Sequence, residues 1–264
     1  MNPVKDIWAS GETYERYVGR WSRLVSPQFI NWLAVPDGSR WLDVGCGTGA
    51  LSQTILDLSN PEKVKGLDRS EGFIAFAQEN NSDPRASFDV ADAQALSDES
   101  DSYDAVVSAL MLNFVPQPEK AASEMARVAR PGGVMAAYVW DYAGEMQLMR
   151  TFWDTAAALD ADAAQHNEGS RFALCRPEPL QLLFEGAGLG DVNVHAIDIP
   201  TVFRNFEDYW TPFLGGVGPA PSYVLSLNEQ RRTQLRDRIR ESLPIAPDGS
   251  ISLLARAWAV RGIK

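Results

Sequence analysis

Apolar residues along the chain fall into short runs separated by stretches of helical spacing, and that alternation predicts the fold. Arg40–Val44 (RWLDV) reads as a strand, and Leu51–Ser59 spaces its apolar residues as a helix does. Val64–Asp68 predicts a second strand and Glu71–Asn80 a second helix. Ala86–Asp92 and Tyr103–Leu110 follow as strands; Ala105, Val106 and Val107 are contiguous, the pattern of a strand covered on both faces. Glu119–Arg130 carries Ala122, Met125 and Val128 on one helical face. Pro131-Gly132-Gly133 stops it, and Gly133–Trp140 predicts a fifth strand. Strands and helices taking turns this regularly predict an α/β fold, a parallel sheet with helices on both faces.

After Trp140 the texture changes. Residues 141–176 are rich in Ala, Asp and aromatics and predict a helical insertion. Pro177–Leu189 predicts a helix opened by its prolines, Asp191–Ile199 alternates like a strand, and Ser250–Gly262 predicts a terminal strand. Between them, residues 205–249 hold aromatics, the turn-forming GGVGPAP and a charged helix from Asn228 to Glu241. The two stretches are candidate covers over a site, with surface packing helices as the alternative. Phe152, Trp153, Phe206, Tyr209, Trp210 and Phe213 are candidates for an apolar acceptor pocket, or for core packing.

Composition narrows the function classes. At 264 residues, one domain with insertions is expected. No apolar run reaches the roughly 20 residues of a membrane span. The opening MNPVKDIWASGETYERY lacks the basic-then-apolar layout of a secretion signal, so a cytoplasmic location is expected. A net charge of -11 disfavours nucleic acid, whose phosphates need clustered Lys and Arg. Two cysteines, Cys46 and Cys175, imply free thiols, and with only His166 and His195 beside them no metal site is expected.

The densest signal is WLDVGCGTGA, Trp41 to Ala50, with Gly45, Gly47 and Gly49 directly behind a strand. Glycines let the backbone come close to a ligand, and the next helix offers unpaired amides to a carboxylate or phosphate. In a doubly wound sheet, ligands bind at the carboxyl ends of the strands. Asp68 ends the second strand, where a carboxylate can accept both hydroxyls of a ribose and would repel a 2′-phosphate. Gly45–Ala50 also satisfies the G-x-G-x-x-G/A pattern. On these residues alone, a tight turn, a dinucleotide site and a site for another adenosine-bearing cofactor all stay open.

Four segments in order between Trp41 and Trp140 resemble the motifs of class I S-adenosylmethionine-dependent methyltransferases, in the small-molecule group labelled methyltransferase type 11. They are LDVGCGTGALS, KGLDRSEGFIAFA, DVADAQALS and YDAVVSALMLNFVPQPEKAASEMARVARPGG. Tyr14–Leu33 also resembles the helices that cover the cofactor in such enzymes. The resemblance implies a Rossmann-like seven-stranded sheet, mostly parallel with an antiparallel last strand. It implies one domain over 1–264: a helical cover at 1–36, a cofactor-binding core at 37–140, and substrate covers at 141–176 and 205–249. The implied activity is methyl transfer from S-adenosylmethionine to a small organic acceptor at O, N or C, by a monomer or homodimer. An NAD-dependent oxidoreductase and a non-catalytic cofactor-binding module are the alternatives.

The same resemblance assigns roles. Gly45, Gly47, Thr48 and Gly49 would pack against the methionine part and the ribose, with Cys46 a small space-filler in that loop. Asp43 would hold the cofactor's amino group or order water beside it, and Asp68 would grip the ribose. Asp92 and Ala93 match positions beside adenine; Ala109 matches one whose main chain nears the cofactor, and Arg69 one over the adenosine face. Arg20 and Arg23 are candidates for the methionine carboxylate, with Tyr14 and Tyr17 as lids. Many relatives carry histidine after the fourth strand, where this chain has Leu112-Asn113-Phe114. Asn113 is therefore a candidate to orient the acceptor, and Asp141, after the fifth strand, a candidate base. The Asn/Asp-Pro-Pro-aromatic signature of amino-methylating nucleic-acid enzymes is absent; Ser108-Ala109-Leu110-Met111 stands there.

Overall fold

The computed structural model describes residues 19–215 and 218–264, so the candidate lids Tyr14 and Tyr17 lie outside the described residues. Its strands are β1 (Arg40–Val44), β2 (Lys63–Asp68), β3 (Ala86–Val90), β4 (Tyr103–Ala109), β5 (Ala129–Trp140), β6 (Gly190–Phe203) and β7 (Ile251–Ile263). They form one sheet in the order β3-β2-β1-β4-β5-β7-β6. β1 pairs in parallel with β2 and β4, and β4 with β5, while β7 lies antiparallel to β5. The strand order reverses between β1 and β4, which is where such sheets open a crevice.

The described helices are α1 (Arg20–Leu33), α2 (Ala50–Leu58), α3 (Glu71–Asn80), α4 (Pro118–Val128), α5 (Gln147–Leu159), α6 (Glu168–Arg171), α7 (Pro177–Gly186), α8 (Phe206–Trp210), α9 (Pro219–Ser226) and α10 (Glu229–Ser242). The chain divides into two units. One comprises Ser22–Trp140, Leu174–Ile197 and Ala257–Lys264; the other comprises Asp141–Ala173 and Asp198–Arg256 with the segment ending at Trp21.

In the sheet unit, Leu42, Val106, Met135 and Val139 are buried in one cluster with Ala122 and Met125 of α4 and Leu180 and Phe184 of α7. Burying one such side chain is worth about 1.5–3 kcal/mol, so this face anchors both helices. α1 docks differently. The Phe29 ring meets Tyr138 edge-on at 5.0 Å, and Ser26 Oγ shares a 3.0 Å hydrogen bond with the Tyr138 hydroxyl. Arg261 then donates to the Trp32 carbonyl at the end of α1, and the exposed His195 ring stacks on Trp32.

Several element ends differ from the sequence pattern for local reasons. Helix α4 stops at Val128, two residues early, and β5 already begins at Ala129. Pro131-Gly132-Gly133 is thus a bulge inside β5: the register jumps from Tyr103↔Ala129 to Ala105↔Val134. At Gly133 a Cβ would stand 2.8 Å from the Arg130 carbonyl oxygen, so only glycine fits that bulge. β3 ends at Val90, before Asp92, and β4 ends at Ala109 because Leu110 adopts φ 61.

The second unit gathers both stretches that the sequence sets apart, 141–176 and 205–249, except for residues 174–176. Its core is aromatic. Phe152 stacks on Phe213 at 4.6 Å, Phe213 meets Tyr209 at 5.5 Å, Tyr209 meets Phe203 at 5.2 Å, and Phe203 meets Trp21 at 5.2 Å. All six aromatics offered as acceptor-pocket candidates are buried in this packing, which is the core alternative.

Gly66 in β2 tests the sheet packing. A Cβ there would lie 2.6 Å from the Phe88 ring and 3.0 Å from Cys46 Sγ. Gly66→Ala is expected to destabilise the fold by about 1–3 kcal/mol through overpacking, read as a lowered urea midpoint. An unchanged midpoint would refute the tight fit.

Candidate cofactor site

The loop after β1 is held by the end of β2. The Gly45 and Cys46 N–H groups both donate to the Leu67 carbonyl, at 2.6 and 2.9 Å. The Gly47 N–H donates to Asp68 Oδ2 at 3.0 Å, and the Ser70 N–H donates to Asp68 Oδ1 at 2.9 Å. Gly45, Gly47 and Gly49 all have left-handed backbones, with φ of 75, 54 and 85. An L side chain rarely adopts that region, so the three glycines are required by conformation first.

What surrounds each glycine differs. A Cβ on Gly45 would fall 2.4 Å from Met111 Cγ, so this glycine makes room for a side chain from beyond β4. A Cβ on Gly49 would touch Ala77 and Phe88 at 3.4 and 3.5 Å, an ordinary helix-packing position. At Gly47 nothing lies within 4 Å. Of the three, only Gly47 has open space where a Cβ would stand.

Two carboxylates stand at the ends of the strands that hold this loop, Asp43 in β1 and Asp68 at the end of β2. Asp43 is fully buried; its Oδ2 accepts from Ser52 Oγ at 2.7 Å, and its Oδ1 has no partner. Burial pushes its pKa from 3.8 to about 7; the Ser52 hydrogen bond opposes this and the nearby Asp68 charge adds to it. Asp68 is half-buried, and burial raises its pKa too, against the stabilising Ser70 and Gly47 N–H donors. Cys46 is buried against Ile74, Ala77 and Phe88, and burial drives its thiol pKa well up. It is a spacer with no nucleophilic character. Thr48 is half-buried in the same loop.

The remaining positions fall around the strand ends. The Ala91 N–H donates to the Asp68 carbonyl, which brings the exit of β3 beside the end of β2. Asp92 is exposed there, and its carboxylate accepts from the Gln94 main-chain N–H at 2.9 Å, which lowers its pKa. Ala93 packs on the core, and Arg69 is exposed on the far side of Asp68 in sequence. Ala109 is the last residue of β4, in register with Tyr138. Leu110 follows in the left-handed region, pinned by its N–H to the Tyr138 carbonyl at 2.8 Å. That strained turn, an arrangement costing about 1–3 kcal/mol, throws Met111 back over Gly45. Asn113 sits in the 3-10 turn Leu112–Phe114, and its Oδ1 is buried without a partner.

The other sequence candidates make contacts of their own. Arg20 belongs to the second unit, where Nη1 donates to Asp208 Oδ1 at 3.1 Å and the guanidinium lies over the Trp21 and Phe203 rings. Arg23 is exposed on α1. Asp141 is also in the second unit, with Oδ1 accepting from the Gly144 N–H and Oδ2 from the Glu145 N–H. Its carboxylate closes its own turn. His166 lies 5.7 Å from the Tyr223 ring. Among the described residues, no cluster of His, Cys, Asp or Glu could hold a metal ion, and no helix is long and apolar enough to cross a membrane.

Ser52 and Met111 were missed. Ser52 had a signal, a hydroxyl in the first turn of the helix behind the glycine loop; Met111 had none, because its contact exists only once β4 lies beside β1.

The buried Asp43 gives a pH test. Its folded-state pKa lies above the ordinary value, so its contribution to stability is complete below about pH 3.8 and is lost as pH rises through about 7. Relative to Asp43→Asn, the wild type is expected to lose on the order of 2–4 kcal/mol between the two ends of that window. Urea unfolding across the range checks this; a difference that does not vary with pH would place Asp43 in water.

Comparison with known proteins bears on this geometry. Residues 42–137 match the family model described as a methyltransferase domain. A demethylmenaquinone methyltransferase of Renibacterium salmoninarum is 35% identical over 130 residues, 49% of this chain and 49% of that protein. The chain thus spans about half the length of the curated relatives it matches, or less. Among solved structures, the YcgJ protein of Bacillus subtilis superposes with a TM-score of 0.59 at 16% identity, over 91% of this chain and 98% of that one. The Haemonchus contortus phosphoethanolamine N-methyltransferase 2, in complex with phosphomonomethylethanolamine and S-adenosylhomocysteine, has a TM-score of 0.60 at 16% identity, over 96% of this chain and 56% of that one. Residues 42–137, which hold the glycine loop, Asp43, Asp68 and the turn after β4, are thus similar to a methyltransferase domain, and the seven-stranded sheet shares its fold with solved methyltransferase structures.

Proposed function

We propose that the protein transfers a methyl group from S-adenosylmethionine to a small organic acceptor. One observation carries the reading: Gly47, with open space where a Cβ would stand, donates its N–H to the Asp68 carboxylate, and the strand leading into its loop carries a buried Asp43 carboxylate with an unpaired oxygen. The residues fit such a cofactor. Each Asp68 oxygen accepts one backbone N–H and keeps lone-pair capacity for a ribose hydroxyl. Asp43 Oδ1 is an orphaned acceptor in a buried setting, suited to an ammonium group or to a water beside it. The Asp92 carboxylate, exposed beside these strand ends, is suited to accept from the adenine amine.

When bound, the cofactor supplies a methyl group that its sulfonium has already activated. The chain's own work is then binding, alignment and exclusion of water. The Leu67 carbonyl and the Asp68 carboxylate fix the loop, so Gly47 offers its bare face without reorganising. The turn at Leu110–Met111 fixes the opposite side and carries Asn113 toward the acceptor.

Calorimetric titration tests the assignment. S-adenosylhomocysteine is expected to bind and to raise the melting temperature, and NAD to do neither. Asp68→Asn keeps one acceptor oxygen, turns an amide NH2 toward the other backbone N–H and removes the charge that grips the ribose; its affinity for S-adenosylhomocysteine is expected to fall at least about tenfold, with stability lowered by about 1–3 kcal/mol through the lost loop hydrogen bond. Binding of NAD alone would favour an oxidoreductase. Binding of S-adenosylhomocysteine with no transfer to any acceptor panel would favour a cofactor-binding module without catalysis.

A further inference from the structure

The sheet unit buries two polar atoms, of opposite hydrogen-bonding character, near the carboxyl ends of neighbouring strands. Trp140 is 1% exposed, and its indole N–H has no partner. Asn113 Oδ1, an acceptor, is likewise buried without a partner. Trp140 ends β5, and the 3-10 turn that carries Asn113 packs against β5.

Strand register decides which way Trp140 faces. Asp43 is opposite Val107, and Val107 is opposite Ala136. Side chains alternate along β5, so Ala136, Tyr138 and Trp140 share the Asp43 face of the sheet. Ser108 Oγ is also unpaired, but alternation puts it on the opposite face, with Val44. The orphaned Trp41 indole lies near the amino end of β1, away from the ligand-binding edge. Trp140 is therefore an unmet donor at the functional edge, on the face of the buried Asp43 carboxylate.

A buried donor or acceptor left unpaired costs about 1–3 kcal/mol, and native proteins satisfy nearly all such groups. The two needs are chemically complementary. A hydroxyl can take the indole N–H on a lone pair and give its own proton to the amide oxygen. Resting on the methyl-transfer reading, we propose that Trp140 and Asn113 are the specificity pair for the acceptor, selecting a molecule with a hydroxyl group at the rim of β4 and β5. Their role is positioning: they fix the acceptor's orientation beside the cofactor crevice.

The test pairs small phenols and alcohols with their methyl ethers, titrated into the protein saturated with S-adenosylhomocysteine. At least one hydroxyl-bearing member is expected to bind, with its ether at least about tenfold weaker. Trp140→Phe keeps the ring and removes the donor; Asn113→Leu removes the acceptor. Each is expected to weaken the hydroxyl-bearing ligand about five- to tenfold while leaving S-adenosylhomocysteine affinity unchanged. In the ligand-free protein, Trp140→Phe is expected to keep or raise the melting temperature, since it deletes an unmet group. The proposal is overturned if Trp140→Phe lowers that temperature, if the ethers bind as well as their parents, or if no hydroxyl-bearing member binds the saturated protein. Failure of S-adenosylhomocysteine itself to bind would instead strike the methyl-transfer reading, and the ligand-free melting comparison would still judge the pair.

Discussion

The Asp68 carboxylate accepting the Gly47 N–H is the contact on which the site depends. It joins the end of β2 to a loop whose glycines occupy left-handed backbone, a conformation the loop could not hold by itself. The Leu67 carbonyl reinforces it by taking two N–H groups from the same loop. Parallel pairing of β1 with β2 brings these groups together, so the sheet register and the cofactor loop are one construction.

This construction concentrates negative charge. Asp43 is fully buried and Asp68 half-buried, close enough that the Asp68 charge disfavours ionisation of Asp43. Backbone donors compensate Asp68, but Asp43 draws its hydrogen bonds from Ser52 and keeps an oxygen unmatched. A fold tuned for stability alone would not bury an acid there. The arrangement is suited to a cationic group, whose charge would offset the desolvation of the buried Asp43 carboxylate.

The two arginines expected to help at this site illustrate why helix-borne candidates are hard to place. Arg20 and Arg23 are three residues apart on α1, yet Arg20 lies over two aromatic rings and forks onto Asp208, while Arg23 is exposed. Asp141 is similar: adjacent to the rim in sequence, it spends both oxygens on the turn that starts the helical unit. A charged residue near a site by chain position has many local donors and acceptors within reach. Only the packed structure decides which it takes.

The sequence by itself determined the parts whose cause is local or periodic. Contiguous apolar triplets such as Ala105–Val107 specify a doubly covered strand, and the spacing of Ala122, Met125 and Val128 specifies the helix beside it. The glycine run behind β1 and the aspartate ending β2 mark the candidate cofactor crevice, because left-handed turns favour glycine, while the same residues leave the kind of ligand open. Tertiary structure alone decided which glycine faces open space, since that depends on Met111 arriving from another strand. It also decided that Pro131-Gly132-Gly133 bulges within β5, and that Trp140 and Asn113 stand unpaired near neighbouring strand ends. Those outcomes arise from contacts between residues distant along the chain, where no periodicity records the partner.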